Sequence, residues 1–453
     1  MDYSRREFLR QGSIAGISLL ATPAILKASP LTSETPAILG GVSVRADKKW
    51  PKWPQWNPAT DDERLLKVVR SGVWSRAKVV TEFEEAWAAA IGTKRSLTTV
   101  NGTNALITAI AQFGIGPGDE VIVPPYTFIA SIQAVLMNGA MPVFADIDPA
   151  TFQMDPNEVA KKITSRTKAI LPVHIMGLPV DMDRIMEIAN KHNLLVIEDS
   201  CQAHLAVYGG KKVGAIGHAG CFSFQNSKNL PIGEGGAVVS DNDSFMDRCF
   251  SYHNLGMPYG TAVGVVSGGS AIVGTKVRLT EYQAAIGLIM LERLEEETNT
   301  RHANAVYLSD MIRDIPGIVP VKLYDKTERG AFHLYPFRFQ EKGFKGLSRT
   351  VFIKALQAEG IRASSGYNSL TGAAYLNDAF TSPVFQNAYS AADLDFQRYA
   401  EKSHSPNSEL LCDHEAVWLP QNVLLGSRTD MEDIAAAIRR IYKNAEQIKK
   451  KAF

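Results

Sequence analysis

The stretch FSFQNSKNLPIGEGG, residues 222–236, decides how this chain is read. It sets one lysine, Lys228, between a short apolar run (Cys221, Phe222, Phe224) and a glycine-rich turn leading into a second apolar run at 237–239. Apolar runs of strand length bounded by turn residues put that lysine at a strand end, beside a tight turn. Removal from water lowers a lysine's pKa and frees its amine to form a Schiff base with a carbonyl compound. A loop lysine by itself is usually solvated surface, so the reading rests on its company.

That company begins at 194–197 (LLVI), an apolar run that ends in Glu198 and Asp199 and continues through Cys201 and Gln202. Ligands of open α/β sheets bind beyond the carboxyl ends of the strands. An acid after a strand serves as readily as a helix N-cap. Together with Lys228 it serves better as the partner of a pyridinium nitrogen, because a lysine, a carboxylate and a phosphate cradle are the parts a pyridoxal phosphate site needs. The cradle has a candidate in VNGTNAL (100–106), opening a helix that continues through Ile107, Ile110 and Phe113. Gly102 allows close backbone approach to an anion, Thr103 adds a hydroxyl, and the first amides of a helix are unpaired donors. The following GIGPGDE (114–120) lacks the G-x-G-x-x-G order and follows a helix rather than a strand, which leaves a dinucleotide fingerprint unsupported.

Seven segments in order carry a resemblance: SGVWSR (71–76), the NGT turn, GPGDEVIVPPYTFIAS (116–131), PVFADIDPATF (142–152), TKAILPVHIMG (167–177), VIEDSCQAH (196–204) and the lysine stretch itself. From about residue 71 to the C-terminus the chain resembles the DegT/DnrJ/EryC1/StrS family of pyridoxal-phosphate-dependent sugar aminotransferases. GYNSL (366–370) and EAVWLPQNVLLG (415–426) make it most similar to the branch of glutamine:scyllo-inosose aminotransferases and aminohydroxybenzoate synthases. The resemblance implies an α/β chain of the aspartate aminotransferase fold (fold type I), with a mostly parallel central sheet covered by helices and a smaller C-terminal α/β domain.

Carried over by position, Lys228 would hold the cofactor as a Schiff base and shuttle the proton, while Asp199 would keep the ring nitrogen protonated. Gln202 would contact the ring's phenolic oxygen and Phe128 would stack on its face, although an aromatic after a strand is more often core. Gly102, Thr103, Asn104 and Ser223 would hold the phosphate. Trp74, His333 and Tyr367 are the candidates for acceptor contacts, against packing as the commoner role. The family's site lies between two subunits, so a homodimer is expected.

The chain also departs from the family. Members often read G-Y-N-Y-R in a segment part of which reaches the neighbouring subunit's phosphate; here residues 274–278 read GTKVR, so Lys276 and Arg278 remain to supply positive charge to a phosphate. Leu205 replaces the usual small residue after QAH and is expected to narrow the pocket wall.

At the N-terminus, SRREFLR (4–10) precedes a short apolar stretch at 14–26 broken by Gly16 and Pro23. A charged start, a short apolar segment and small residues near Ala28 have the form of a secretory signal, too short to span a membrane. The paired arginines resemble the twin-arginine export signal. An exported, periplasmic enzyme carried folded by the twin-arginine machinery is the expectation.

The chain has 453 residues, 45% of them hydrophobic, 48 basic against 47 acidic, for a net charge of +1. That suffices for a large core and gives no basic field for nucleic acid. Four scattered cysteines make no disulfide framework, and neither they nor the nine histidines show metal-ligand spacing. Cys201 reads as a small core residue, not a nucleophile.

The pattern divides the chain into a signal (1–28), a Pro- and Trp-bearing arm (29–60), a large cofactor-binding domain (61–295) and a small domain (296–453). Strands are expected at 121–123, 143–145, 169–173, 194–197, 219–224 and 236–239, with another at 336–340. Helices are expected at 282–294 and 430–442.

The function these readings support is transfer of an amino group from glutamine or glutamate to a keto sugar or keto-cyclitol. Three alternatives compete. A sugar dehydratase on the same fold is disfavoured by the retained lysine. An exported, non-catalytic carbohydrate-binding protein has no use for Lys228, Asp199, Gln202 and Ser223 together. A nicotinamide oxidoreductase lacks its glycine fingerprint.

Overall fold

Runs of Val, Ile and Leu too short for helices become the inner strands of a seven-stranded sheet. The computed structural model describes residues 34–261 and 269–451, so the signal expected at 1–28 lies outside the described residues. The chain lays down β1 (Arg95–Thr99), β2 (Glu120–Val123), β3 (Met141–Phe144), β4 (Thr167–Ile170) and β5 (Leu195–Asp199). A short hairpin, β6 (Val207–Tyr208) and β7 (Lys211–Lys212), then precedes β8 (Ala219–Ser223) and β9 (Gly236–Ser240). The sheet order is β1-β9-β8-β5-β4-β2-β3. The pairs from β8 to β3 are parallel, and only β9 runs against its neighbours. β2, β8 and β9 are buried at every position, as a sheet covered on both faces requires.

The six sheet strands expected from the sequence are all present, each displaced by a few residues at most. β1 was not expected, and its sequence explains why. RSLTT holds a single aliphatic residue, so it carries no strand-like apolar pattern. Its buried Thr98 is satisfied instead by a carboxylate: Glu84 accepts from the Thr98 amide at 2.7 Å and from its hydroxyl at 2.8 Å. Arg76, from the SGVWSR segment, clamps Glu84 with both terminal nitrogens at 2.5 and 2.7 Å.

A helix at Glu281–Ile312 runs without a break across the expected domain boundary at 295/296. At 1.5 Å per residue it is about 48 Å long. Its second half escapes a hydrophobic pattern because its inward residues there include Thr298, Arg301 and Asn304, each hydrogen-bonded within the fold. Beyond it lies an antiparallel sheet of β10 (Ile318–Pro320), β12 (Leu334–Phe339) and β13 (Ala416–Pro420), while the intervening β11 (Thr327–Arg329) pairs with β6. The helix expected at 430–442 spans Arg428–Lys443 and is closed at its start by a Ser427–Asp430 capping box.

The described part of the arm is tied to the body of the protein. Arg45 pairs with Asp430 at 2.6 Å and Asp433 at 2.9 Å, Trp50 donates to the carbonyl of Gly360 at 2.8 Å, and Asn422 donates to that of Pro51 at 2.6 Å. These bonds carry Trp53 to the edge of the main cavity. Among the described residues no helix is long and apolar enough to cross a membrane, and no His, Cys, Asp and Glu cluster could hold a metal ion.

Candidate active site

Because β1 and β8 both run antiparallel to β9, the carboxyl ends of β1, β5 and β8 open on the same edge of the sheet. A cavity of about 670 Å³ lies there. β5 delivers Asp199, β8 delivers Ser223, and the turn after β8 brings in Lys228. The chain leaving β1 enters the Gly102–Gln112 helix, whose first turn faces the same space.

That first turn has the form of an anion cradle. Asn101 caps the helix, its side-chain oxygen accepting from the Asn104 amide at 2.8 Å, while the Ala105 amide bonds the Asn101 carbonyl. The amides of Gly102 and Thr103 have no partner among the described residues, and both residues line the cavity. Gly102 is required by space: a Cβ there would lie 2.7 Å from Ser223 Cβ and 2.9 Å from Cys201 Sγ. Gly236 is required likewise, since its Cβ would meet the Asn101 carbonyl carbon at 2.4 Å.

Asp199 is buried and held from both sides. Its Oδ2 accepts from the Ser131 hydroxyl at 2.7 Å and its Oδ1 from the Cys201 amide at 3.1 Å. Glu198, the other acid of the pair, is structural. Three amides (Gly214, Ile216, Gly217) and the Nε2 of buried His174 satisfy it at 2.6–2.9 Å. Gln202 accepts from the Met176 amide at 2.8 Å and donates to the Tyr367 hydroxyl at 2.8 Å.

The Lys228 amine makes no hydrogen bond or ion pair among the described residues. Loss of water around it pushes its pKa down, with the Asp199 carboxylate opposing. Burial also holds two neighbouring imidazoles neutral. His204 is pushed down to about 3, and His333 falls well below the usual histidine range, the Lys228 charge adding to both effects. Burial pushes the Cys201 thiol well up, which keeps it protonated and unreactive.

Of the residues singled out in the sequence, Lys228, Asp199, Gly102, Thr103, Phe128, Gln202, Ser223, His333 and Tyr367 line the cavity together. Five others do not. Asn104 is committed to the cap, its amide and side chain both bonded to Asn101. Trp74 is 55% exposed and donates to the carbonyl of Val69. Lys276 and Arg278, from the segment expected to reach a neighbouring subunit's phosphate, both meet Asn254, Lys276 by a backbone bridge and Arg278 by donating to its side chain at 3.1 Å, and neither lines this chain's own cavity. Leu205, expected to narrow the pocket, points into the core beneath it and is 2% exposed. Sequence reasoning missed Asn101, Ser131, Trp53, Gln421 and Asn422, which hold Asp199 or line the cavity. All five stand in stretches with a visible signal: the turn NGTN, the segment GPGDEVIVPPYTFIAS, the Trp-rich arm, and LPQN before VLLG.

Comparison with known proteins agrees with this geometry. The sequence profile of the DegT/DnrJ/EryC1/StrS aminotransferase family matches residues 57–439. The chain belongs to this family. It is 33% identical to a putative L-glutamine:3-amino-2,3-dideoxy-scyllo-inosose aminotransferase of Micromonospora echinospora over 91% of its own length and 98% of the relative's. It is 40% identical to the GDP-perosamine synthase of Caulobacter vibrioides over 64% of its own length and 76% of that protein's. The crystal structure of 3-amino-5-hydroxybenzoic acid synthase superposes with a TM-score of 0.75 at 31% identity, covering 87% of this chain and 99% of that one. The fold is that of fold type I pyridoxal phosphate enzymes, and the family member described here is a pyridoxal-phosphate-dependent aminotransferase.

The residues present fit that cofactor. An amine free of partners faces a buried carboxylate, and two unpaired amides with the Thr103 and Ser223 hydroxyls form a phosphate-sized cradle that a Cβ at position 102 would fill.

Proposed function

We propose that the protein moves an amino group from glutamine or glutamate to a keto sugar or keto-cyclitol. The observation that carries this reading is the unpaired Lys228 amine set in one cavity with the Ser131-braced Asp199 and the open amide cradle. Bound pyridoxal phosphate would supply an aldehyde for the donor's amine and an electron-withdrawing ring. Gly102, Thr103 and Ser223 would hold the phosphate, and Asp199 would keep a proton on the ring nitrogen. Gln202, hydrogen-bonded to Tyr367 on the cavity wall, would contact the phenolic oxygen. Lys228 Nζ, uncharged more readily because it is desolvated, would take the proton from the donor's α-carbon and, in the second half of the exchange, deliver one to the acceptor carbon that gains the amine. The relatives whose names specify a reaction are aminotransferases and synthases, which favours amino transfer over dehydration or simple carbohydrate binding.

Two further readings belong to the proposal. The enzyme works as a homodimer: Phe128 lines the cavity yet is 54% exposed, beside exposed Ile129, which is apolar surface at the rim that a second copy would cover. It is exported by the twin-arginine route, on the strength of SRREFL and the short apolar stretch behind it. Replacing Arg5 and Arg6 by lysine should then hold the protein in the cytoplasm, and unaltered export of that variant would defeat the assignment.

The reaction is tested with amide-¹⁵N- and α-¹⁵N-glutamine and a keto-cyclitol. Label from the α position should appear in an aminocyclitol. A product without label, or loss of water from the acceptor instead, would contradict amino transfer.

A further inference from the structure

One wall of the cavity remains without a role once the cofactor residues are placed, and it is made by the arm and the turn after β13. Trp53 lies there with its indole N–H spent on the Lys228 carbonyl at 3.1 Å, so what it offers the cavity is carbon surface. Beside it stand Gln421 and Asn422, 3% and 5% exposed.

Their amides are oriented by partners that admit only one assignment. Arg301 Nε, wholly buried, bonds Gln421 at 2.8 Å. A guanidinium only donates, so the Gln421 atom facing it is the oxygen, and the NH₂ group is left over. Asn422 meets the Pro51 carbonyl at 2.6 Å. A carbonyl only accepts, so the Asn422 atom there is the nitrogen, and its oxygen is left over. The wall therefore keeps one spare donor and one spare acceptor beside an apolar aromatic surface. Arg301 is itself locked by Glu297 at 3.0 Å and lies 5.0 Å from the Trp53 ring, so a single buried cation braces both halves of the wall. Burial lowers its pKa to about 10, which leaves it charged at neutral pH.

The wall carries no charge. Ring hydroxyls call for paired donors and acceptors over an apolar surface, which is what this wall offers.

We propose that Trp53, Gln421 and Asn422 form the acceptor subsite, that they recognise the hydroxyls of a polyhydroxylated keto ring, and that Arg301 is the positioning residue that sets the Gln421 amide. This rests on the aminotransferase reading above.

The test uses the cofactor-loaded enzyme in single-turnover form. The donor half-reaction is followed with glutamine, and the acceptor half-reaction with scyllo-inosose. Gln421→Glu keeps the size and the Arg301 contact but removes the spare NH₂ donor. The half-saturating concentration of scyllo-inosose should rise about tenfold, the worth of one buried hydrogen bond, with little change in limiting rate. Arg301→Lys, which keeps the charge but loses the Nε–H, should show the same split, while Gln421→Met serves should the new carboxylate disturb folding. Equal losses in both half-reactions or an acceptor half-saturation within twofold of wild type would each overturn the proposal. Wild-type enzyme that fails the donor half-reaction would instead overturn the aminotransferase reading.

Discussion

Substituting Gly102 by alanine tests the cradle most sharply, because the geometry sets the size of the effect. The new methyl would sit 2.7 Å from Ser223 Cβ and 2.9 Å from Cys201 Sγ. Ordinary carbon contacts are about 3.5–4.0 Å, so the helix start and β8 must separate by about 1 Å. Ser223 Cβ is fixed to a strand paired on both sides and cannot swing away. A shift of that size takes an N–H···O bond from about 2.9 Å past the limit of useful geometry. Hydrogen bonds to a charged group are worth about 1.5–3 kcal/mol each. Loss of the Gly102 and Thr103 bonds thus weakens cofactor binding by about a hundredfold or more. Titrating the apoenzyme with pyridoxal phosphate measures the affinity, and urea unfolding of the apoenzyme separates out a packing cost of about 1–3 kcal/mol. A folded Gly102→Ala enzyme that binds the cofactor within threefold of wild type would refute the cradle.

The remaining predictions concern the acid, the buried imidazole and a capping carboxylate. Asp199→Asn should lower the donor half-reaction by about a hundredfold or more while leaving the fold intact by circular dichroism, because a neutral amide no longer keeps the ring nitrogen protonated. His204, whose folded pKa of about 3 lies below its usual 6.5, makes the unfolded chain the tighter proton binder between those values. Stability present above about pH 6.5 is therefore lost as pH falls toward 3. His204→Phe should flatten that loss by roughly 2–3 kcal/mol between pH 7 and 4.5, read from urea midpoints. Glu281 accepts from the amides of Ala77, Val79 and Val80 at 2.7–3.0 Å, capping the Lys78–Ile91 helix from a distant part of the chain. Glu281→Ala should cost about 2–3 kcal/mol, seen as a lower urea midpoint at constant m.

What could be read from the sequence divides by the kind of force involved. The inner strands were legible because a sheet covered on both faces demands unbroken apolar runs, and LLVI before Glu198 or EVIV at β2 have few other uses. The cofactor residues were legible because Lys228, Asp199 and Gly102 each need a special setting at a strand end or helix start. Structure carried by buried polar pairing was not legible. β1 depends on Glu84 and Arg76, and the second half of the 32-residue helix buries Arg301 and Asn304 against Gln421 and the Leu424 and Gly426 carbonyls. Such partners lie far apart in the chain, Arg301 and Gln421 being 120 positions apart, and no local pattern announces them. Asn104 shows the same limit at the site, where spacing alone could not tell a phosphate ligand from the residue whose amide closes the cap.

The measurement closest to the central claim is the absorbance spectrum of the purified protein with pyridoxal phosphate, before and after glutamine. The account predicts a band near the visible edge that bleaches with glutamine in the wild type and is missing in Lys228→Ala. A band that persists in Lys228→Ala, or wild-type protein that forms none, would contradict it.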